Sequence, residues 1–393
     1  MKIGVLAYRF NYYTNLQTIL NKLPEATYVP VYDLYSLRRR AALKVNQIIG
    51  KPLIPTFNLN NQFEDYEFNK VDILHFSNGI SYGRTPWVSS FETILPRFHQ
   101  VINGLKAGAE LYKPDEQTLR ALEAMASPVC RGIIAWSACT AGIEKSFLNQ
   151  IPQDLSAPII NKLKVLYPPR EVIQEPRDGK TYSAEDPIRF IMVGAAFFRK
   201  GGRELFNAFT KLHAEGLPVK LVLVSSLRIE NYAAQETEDD VVWAKRIIAG
   251  NPAWLEYYES LPNAQVLELM KAADVGLLPT WADSYGLSVL EAQACSLPVI
   301  STDIRALPEM NNDHVGWLIR VPKNELGEAL YNTVEERVAL SQAIETGLER
   351  AIQAICENPS TIAEKGKLAY EKILREHDPQ VYANALRNIY AIS

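Results

Sequence analysis

The sequence predicts an α/β protein of two domains, each built on a parallel sheet. Short apolar, β-rich runs alternate with longer segments of helical periodicity along the 393 residues. This length exceeds one ordinary core. The segment Tyr167–Pro187 contains four prolines and little periodicity, and the alternation restarts after it. We therefore predict a first domain over 1–183 and a second over 184–360, and expect helices in 361–393 to return to the first domain.

The predicted elements follow from the periodicity of apolar residues. In the first domain the predicted strands are Ile3–Tyr8, Val71–Phe76, Trp87–Ser90 and Gly132–Trp136, and the helices Thr14–Leu23, Asp115–Ala126 and Thr140–Asn149. In the second domain the predicted strands are Phe190–Val193, Val219–Ser225, Val275–Leu278 and Pro298–Ser301, and the helices Gly202–Glu215 and Leu287–Cys295. The last stretch, Pro359–Ser393, has a helical pattern with a break near Asp378.

Composition excludes several classes of protein. The net charge is −4, which disfavours a nucleic-acid partner. The four cysteines form no C-x-x-C pair, which argues against a disulfide framework and a structural zinc site. No apolar run reaches about 18 residues, and Met1–Val5 leads directly into a strand pattern instead of a signal peptide. We expect a cytoplasmic protein, with peripheral contact at the inner face of the membrane.

The charge is unevenly distributed between the halves of the chain. Residues 1–183 carry 21 basic and 16 acidic side chains, a net +5, whereas residues 184–393 carry 20 and 29, a net −9. The basic half fits a surface for an anionic acceptor or membrane, and equally ordinary surface variation.

Two loops at the carboxyl ends of predicted strands are candidate ligand sites, because open parallel sheets bind ligands there. In the first, 193–202, Arg199 and Lys200 precede a glycine pair that opens a helix, an arrangement suited to phosphate. In the second, 278–292, Gly286 precedes a helix in which Glu291 has apolar neighbours. A carboxylate there needs a partner, such as a sugar diol. A solvated βα loop and a structural Glu remain the alternatives.

Both loops resemble the donor-site motifs of glycosyltransferase family 4. Residues 274–309 (DVGLLPTWADSYGLSVLEAQACSLPVISTDIRALPE) resemble its Glu-x7-Glu signature, with Glu291 as the second Glu and Asp283 in place of the first. Residues 190–202 resemble its Gly-Arg-x4-Lys-Gly motif. Lys200 and Gly201 match, and Ala195 replaces the Arg, whose charge Arg199 is proposed to supply.

The resemblance implies a GT-B fold, with two Rossmann-like domains facing a central cleft, and a retaining transfer from a nucleotide-sugar donor. Lys200, Asp283 and Glu291 are the expected catalytic residues. Glu291 would bind the ribose diol, and Asp283 the hydroxyls of the transferred sugar. The diphosphate would face Lys200 and Arg199 with the N–H groups of Gly286, Leu287 and Ser288, and Gly194 and Tyr285 complete the expected donor site. The scheme uses no metal and no cofactor besides the donor, for which UDP or GDP is expected.

The acceptor side is predicted in the first domain. The loop after the first strand is aromatic and includes Tyr8 and Arg9, which suit stacking on a sugar. His75 resembles the family's His in Asp-x-x-His, and Glu92 stands where members often have a His-containing loop. A structural His and simple tyrosine packing remain alternatives. The acceptor itself is left open between a glycan, a lipid-linked sugar and a small molecule.

The segment Ser36–Lys51 is predicted to be a basic amphipathic helix. It contains five cations and no acid, and its apolar residues share one face. Such a helix binds an anionic membrane or is a solvated helix face.

Three functions fit these features: a retaining glycosyltransferase, a nucleotide-sugar epimerase or hydrolase on the same fold, and a non-catalytic partner or regulator. A dehydrogenase is disfavoured because no G-x-G-x-x-G follows the first strand.

Overall fold

The chain forms two units in the computed structural model, which describes residues 1–106, 113–177, 180–183 and 185–391. The first unit combines Met1–Pro169 with Pro379–Ser393, and the second comprises Arg170–Asp378. The division therefore precedes the 183/184 boundary expected from the sequence, and residue 184 lies outside the described residues. Residues 361–378 remain with the second unit, so only the last helix joins the first unit.

The first unit is built from eight described strands and six described helices before its C-terminal helix. The strands are β1 Lys2–Leu6, β2 Thr27–Val31, β3 Gln62–Phe63, β4 Ile73–Ser77, β5 Ile80–Ser81, β6 Trp87–Phe91, β7 Cys130–Ala135 and β8 Leu163–Val165. The helices are α1 Tyr13–Thr18, α2 Leu34–Ile49, α3 His99–Lys106, α4 Glu116–Ala126, α5 Ala138–Leu148 and α6 Gln153–Lys162.

Six strands of the first unit form a parallel sheet in the order β2-β1-β4-β6-β7-β8, and β3 pairs with β5 separately. In chain order, β2 is added on one side of β1 and β4 on the other, so the direction in which strands are added changes between β1 and β4. Folds of this kind bind ligands at that switch point. The four predicted strands are confirmed, with ends shifted by one or two residues. Strand β2 was missed because only Val31 is buried and Pro30 interrupts the apolar run, which an edge strand tolerates.

The C-terminal helix Pro379–Tyr390 completes the core of the first unit. Its side chains Tyr382, Leu386 and Tyr390 pack in one apolar cluster with Ile3 and Ile73 of the sheet. The break predicted near Asp378 is present, because the preceding helix ends at Glu376.

The second unit has six described strands and seven described helices. The strands are β9 Ile188–Val193, β10 Val219–Val224, β11 Leu255–Tyr258, β12 Val275–Leu278, β13 Val299–Thr302 and β14 Trp317–Ile319. The helices are α7 Gly202–Ala214, α8 Glu238–Gly250, α9 Asn263–Ala272, α10 Leu287–Ala294, α11 Leu307–Met310, α12 Val334–Glu357 and α13 Ser360–Glu376.

The second sheet is parallel and follows the order β11-β10-β9-β12-β13-β14. Counted along the unit, this is the order 3-2-1-4-5-6 of a Rossmann fold. Its four central strands are short and largely buried, as the continuous apolar runs predict, whereas the edge strands β11 and β14 are partly exposed. The direction of growth changes between β9 and β12, so the loops that follow these two strands lie next to each other.

Candidate functional site

The two candidate loops of the second unit meet at the switch point of its sheet. One follows β9 and leads into α7, and the other follows β12 and leads into α10. Several hydrogen bonds join them. The carbonyl of Arg199 accepts from the Trp281 N–H at 2.9 Å and from the Thr280 hydroxyl at 3.1 Å. The two predicted motifs therefore form one site.

Lys200 and Asp283 form an ion pair across this junction. Their side chains are only 13% and 12% exposed, so the pair is largely desolvated. Burial acts to raise the pKa of Asp283, but the Lys200 ammonium and the nearby Arg199 guanidinium outweigh it and hold the pKa below its ordinary value. Asp283 is consequently a carboxylate at neutral pH.

Arg199 is used by the protein to hold the site together. Its Nη1 donates to the Ala282 carbonyl at 2.7 Å, and its Nε donates to Glu230 at 2.8 Å. Its charge still reaches Asp283, so Arg199 both clamps the two loops and contributes positive potential.

Gly201 permits the close approach of the two loops. Its φ is +80°, and a Cβ at this position would lie 2.0 Å from the Pro279 carbonyl oxygen. Any other residue would push the loops apart. The glycine of the Lys-Gly motif is thus explained by packing against the neighbouring loop.

Helix α10 begins directly behind the ion pair. Gly286 caps it with φ +89° and ψ 52°, and the Tyr285 N–H approaches Asp283 Oδ1 at 3.4 Å. The N–H groups of the first turn, which include Leu287 and Ser288, have no acceptor inside a helix and face its N-terminal side. This end of the helix favours a negative ligand.

Glu291 lies one turn further along α10 and is 6% exposed. Arg170 Nη2 lies 3.5 Å from Glu291 Oε1, so the buried carboxylate has a cationic neighbour. The main chain of Arg170 is itself held in place, because its backbone N–H donates to the His377 carbonyl at 2.8 Å. The sequence suggested a buried Glu that needs a partner, and the structure supplies one within the same unit.

Together these groups place three cations, three carboxylates and a helix N-terminus in the region of the carboxyl ends of β9 and β12. Residues 174–350, which contain all these groups except Arg170, match the family model of group 1 glycosyl transferases. This part of the chain is similar to the group 1 glycosyl transferases.

Curated proteins similar to the chain include a mannosyltransferase and a maltose-1-phosphate synthase. The O-antigen chain mannosyltransferase B of Escherichia coli is 25% identical over 173 residues, 44% of this chain and 43% of its own. An alpha-maltose-1-phosphate synthase of Mycolicibacterium smegmatis is 26% identical over 199 residues, 50% and 46% of the two chains. The chain thus spans less than half the length of these relatives.

Solved structures share the fold along nearly the whole chain. The complex of Anabaena HepE with UDP gives a TM-score of 0.60 at 15% identity, covering 99% of both chains. WaaG, described as a glycosyltransferase involved in lipopolysaccharide biosynthesis, gives 0.53 at 13% identity, covering 98% of this chain and 99% of its own. The predicted α/β architecture of GT-B glycosyltransferases is confirmed at the level of fold.

Within residues 174–350, the structure brings together most of the residues predicted to bind the donor. Gly194 lies beneath the Lys200 side chain, because a Cβ there would lie 3.3 Å from Lys200 Cγ. Ala195, which replaces the motif's Arg, is exposed. Tyr285 is 1% exposed, so its ring packs inside the domain, and only its backbone borders the site. The donor-site roles of all these residues remain predictions.

The four residues predicted on the acceptor side lie in the first unit, and they differ in access. His75 is fully buried, with Nε2 2.6 Å from the Ser90 hydroxyl and Nδ1 hydrogen-bonded to the Tyr390 hydroxyl. Burial lowers the pKa of His75 to about 3, so the ring is neutral. His75 therefore offers no exposed surface to an acceptor. Tyr8, Arg9 and Glu92 are partly exposed.

Sequence reasoning missed Arg170 and Glu230. Arg170 lies in the proline-rich segment, and Glu230 in a loop after β10, so neither belongs to a local motif. Their partners Glu291 and Arg199 are far away in the chain. Only the unpaired charges of the predicted motifs indicated that such partners exist.

A metal-binding group of side chains and a membrane-spanning helix are both absent from the described residues. Within that part of the chain, no three His, Cys, Asp or Glu side chains are grouped closely enough to hold a metal ion. None of the described helices combines the length and hydropathy that a bilayer span requires.

Proposed function

We propose that the chain is a retaining glycosyltransferase that uses a nucleoside-diphosphate sugar. The observation that carries this proposal is the buried Lys200–Asp283 pair at the switch point of a domain of the group 1 family. A diphosphate is the ligand that matches a lysine, a nearby guanidinium and a helix N-terminus. A nucleotide-sugar epimerase or hydrolase would need the same donor site and remains the second candidate.

Donor binding exchanges the partner of Lys200. In the free site its ammonium is neutralised by Asp283, and Arg199 is held by Glu230. When the diphosphate takes the ammonium, Asp283 loses its cation and becomes free to accept hydrogen bonds from hydroxyls of the transferred sugar. Lys200 then faces the charge that grows on the leaving diphosphate as the glycosidic bond breaks, which lowers the barrier.

Glu291 binds the ribose of the donor. A carboxylate accepts two hydrogen bonds from a vicinal diol, and Arg170 gives this carboxylate a cationic neighbour within an otherwise apolar helix surface. The family resemblance of 274–309 supports this assignment and retention of configuration. Side-chain cations supply the positive charge at the diphosphate, so the proposed reaction needs no metal. The anomeric proton signal in 1H NMR of the fresh product tests retention.

Thermal shift with UDP, GDP, ADP and their sugar conjugates tests the donor site. UDP comes first, because a protein of the same fold, Anabaena HepE, was crystallised with it. One diphosphate at 100 times its dissociation constant should stabilise the native chain by about 2.7 kcal/mol. Lys200→Ala and Glu291→Gln should lose most of this gain, whereas Lys245→Ala, an exposed lysine of α8, should retain it.

Turnover then separates the candidate functions. Release of free sugar, or conversion of the donor sugar, without any acceptor would favour the hydrolase or epimerase. If no nucleotide stabilises the native chain, the donor site is wrong as assigned, and a non-catalytic role replaces it.

We also propose that helix α2 contacts an anionic membrane. Leu37 and Ile48 are 57% and 85% exposed, and Leu53 just beyond the helix is 66% exposed. The cations Arg38, Arg40, Lys44 and Lys51 are exposed beside them. Apolar side chains with adjacent positive charge are complementary to an acidic lipid surface.

Co-sedimentation with vesicles tests this contact. We expect binding to vesicles with 30 mol% phosphatidylglycerol, about tenfold weaker binding to phosphatidylcholine alone, and loss of binding in Ile48→Ser/Leu53→Ser. Val338→Ser, at a 60% exposed position of α12, is the matched control. Equal binding by both variants would remove α2 from the contact.

A further inference from the structure

Three arginines converge at the switch point of the first sheet. Arg9 follows β1, and its Nη1 lies 3.4 Å from the Ser77 carbonyl at the end of β4. Arg39 projects from α2, and its guanidinium lies 5.1 Å from the centre of the Tyr8 ring, which Arg9 approaches at 5.8 Å. Arg97 follows β6 and stacks on Phe57 at 5.4 Å. All three are partly buried.

This group of arginines lacks anionic partners within the described residues. No carboxylate there forms an ion pair with Arg9, Arg39 or Arg97. The Nε atoms of Arg39 and Arg97 and the Tyr8 hydroxyl are buried without a hydrogen-bond acceptor or donor. Burial lowers the pKa of Arg9, and the phenols of Tyr8 and Tyr12 act to raise it. The positive charges of Arg97 and Arg39 lower the pKa of Arg9 further. The three positive charges therefore repel one another.

We infer that Arg9, Arg39, Arg97 and Tyr8 form a binding site for an anionic group, a phosphate or a carboxylate, on the acceptor sugar. The inference rests on the proposed transferase function and names its acceptor class. A planar guanidinium offers paired donors that match phosphate and carboxylate oxygens. Tyr8 adds a hydroxyl donor, because burial raises the pKa of its phenol. Asp33 is the acid that acts on Tyr8; its Oδ1 accepts from the Ser36 N–H at the start of α2, and its Oδ2 is buried without a hydrogen-bond partner.

Uncompensated buried charge is costly unless a ligand supplies the counter-charge. The position supports a ligand site, because parallel sheets bind ligands at the switch point of their carboxyl edge. An acceptor with an acidic group would neutralise the arginines and place its sugar against the aromatic residues of the same loop.

Anion titrations on the full-length chain test the inference. The Lys200→Ala variant is used throughout, so that the proposed donor site no longer contributes its lysine. Inorganic phosphate and acetate are titrated by calorimetry, and dihexanoyl phosphatidic acid distinguishes a lipid headgroup from a free phosphate. We expect saturable binding of one anion, weakened about tenfold by Arg39→Gln and by Arg97→Gln. Arg84→Gln, at an exposed position of the same unit, should leave it unchanged.

UDP binding is measured in variants that retain Lys200. This measurement distinguishes failure of the anion site from failure of the proposed donor site. Arg39→Gln and Arg97→Gln should bind UDP as the native chain does. If neither phosphate nor acetate binds saturably, or if Arg39→Gln, Arg97→Gln and Arg84→Gln weaken binding equally, the anion site is wrong even when UDP binds. Loss of UDP binding in Arg39→Gln would instead assign the arginines to the donor and overturn the inference.

Discussion

The two sheets of this protein have cations at equivalent positions, but within the described residues only the cations of the second sheet are paired with carboxylates. At the switch point of the second sheet, Lys200 has Asp283 and Arg199 has Glu230. At that of the first, Arg9, Arg39 and Arg97 have no such partners among the described residues. The cations of the paired site are neutralised by its own carboxylates, and in the proposed function a diphosphate replaces Asp283 at Lys200. The unpaired site depends on its ligand for neutrality.

Carboxyl groups show the same contrast. Cations hold the pKa of Asp283 down in the second unit, despite its burial. Glu144 of the first unit is fully buried, and among the described residues it has no cationic partner and accepts a hydrogen bond only from the Leu95 N–H at 2.9 Å. Burial raises the pKa of Glu144 to about 8. Proximity of a cation, more than burial, decides which carboxyl is charged at neutral pH.

The largest effect is expected from Gly201→Ala, which separates the paired loops. The new Cβ combines an unfavourable φ with the contact against the Pro279 carbonyl, and should cost roughly 4 kcal/mol of unfolding free energy. Gly216→Ala has a similar φ of +84° and no atom within 4 Å, so it measures the backbone cost alone. Urea denaturation of both variants should differ by roughly 2 kcal/mol, and equal losses would show that the loops are not closely packed.

Lys200→Ala should lower the transfer rate about 10²-fold, on the order of 3 kcal/mol in the transition state. Single-turnover measurements with saturating donor separate this loss from weaker binding. Asp283→Asn should reduce the rate while preserving the affinity for the free diphosphate, because the amide no longer competes for Lys200. Tighter binding of the free diphosphate by native protein than by Asp283→Asn would argue against the exchange of partners.

Glu144 should make the stability of the protein depend on pH. Above pH 6.5 the carboxyl is ionised in the unfolded chain, whereas in the folded chain it keeps its proton up to about pH 8. Unfolding free energy therefore falls as pH rises from 6.5 to 8, by about 2 kcal/mol. In the unfolded chain His75 loses the last half of its proton over this range, which adds roughly 0.4 kcal/mol equally to the native chain and to Glu144→Gln. Chemical denaturation of native protein and Glu144→Gln should show the fall only in the native chain.

The smallest effect is expected from Tyr390→Phe in the core of the first unit. It removes the hydroxyl that pairs with His75 Nδ1 and leaves a buried ring nitrogen without a partner, at a cost of about 1–2 kcal/mol. Tyr382→Phe removes a bond to the Thr18 carbonyl at 2.8 Å and is the comparison. Thermal unfolding measures both, and an unchanged midpoint in Tyr390→Phe would assign His75 a different partner.

Much of the second unit could be predicted from sequence, because its central strands are buried on both faces and therefore read as continuous apolar runs. In addition, Gly201 and Gly286 mark the starts of two helices. Val275–Leu278 was predicted with its exact bounds, and the loops around Lys200 and Asp283 were placed in one site. The pairing of Arg170 with Glu291 was beyond reach, since it joins distant positions without a shared motif. In the arginine group of the first unit, Arg9 was predicted on the acceptor side with Tyr8, whereas the proximity of Arg39 and Arg97 was missed for the same reason. The excess of basic residues in 1–183 fitted an anionic partner and ordinary surface variation equally.

The C-terminal helix has a consequence for how the protein is made. The first sheet receives Tyr382, Leu386 and Tyr390 from the segment that the ribosome translates late, after the entire second unit. Its core therefore stays open during translation, with apolar strands uncovered, while the second unit already has every residue that it needs. Folding of the first unit is thus tied to synthesis of this helix.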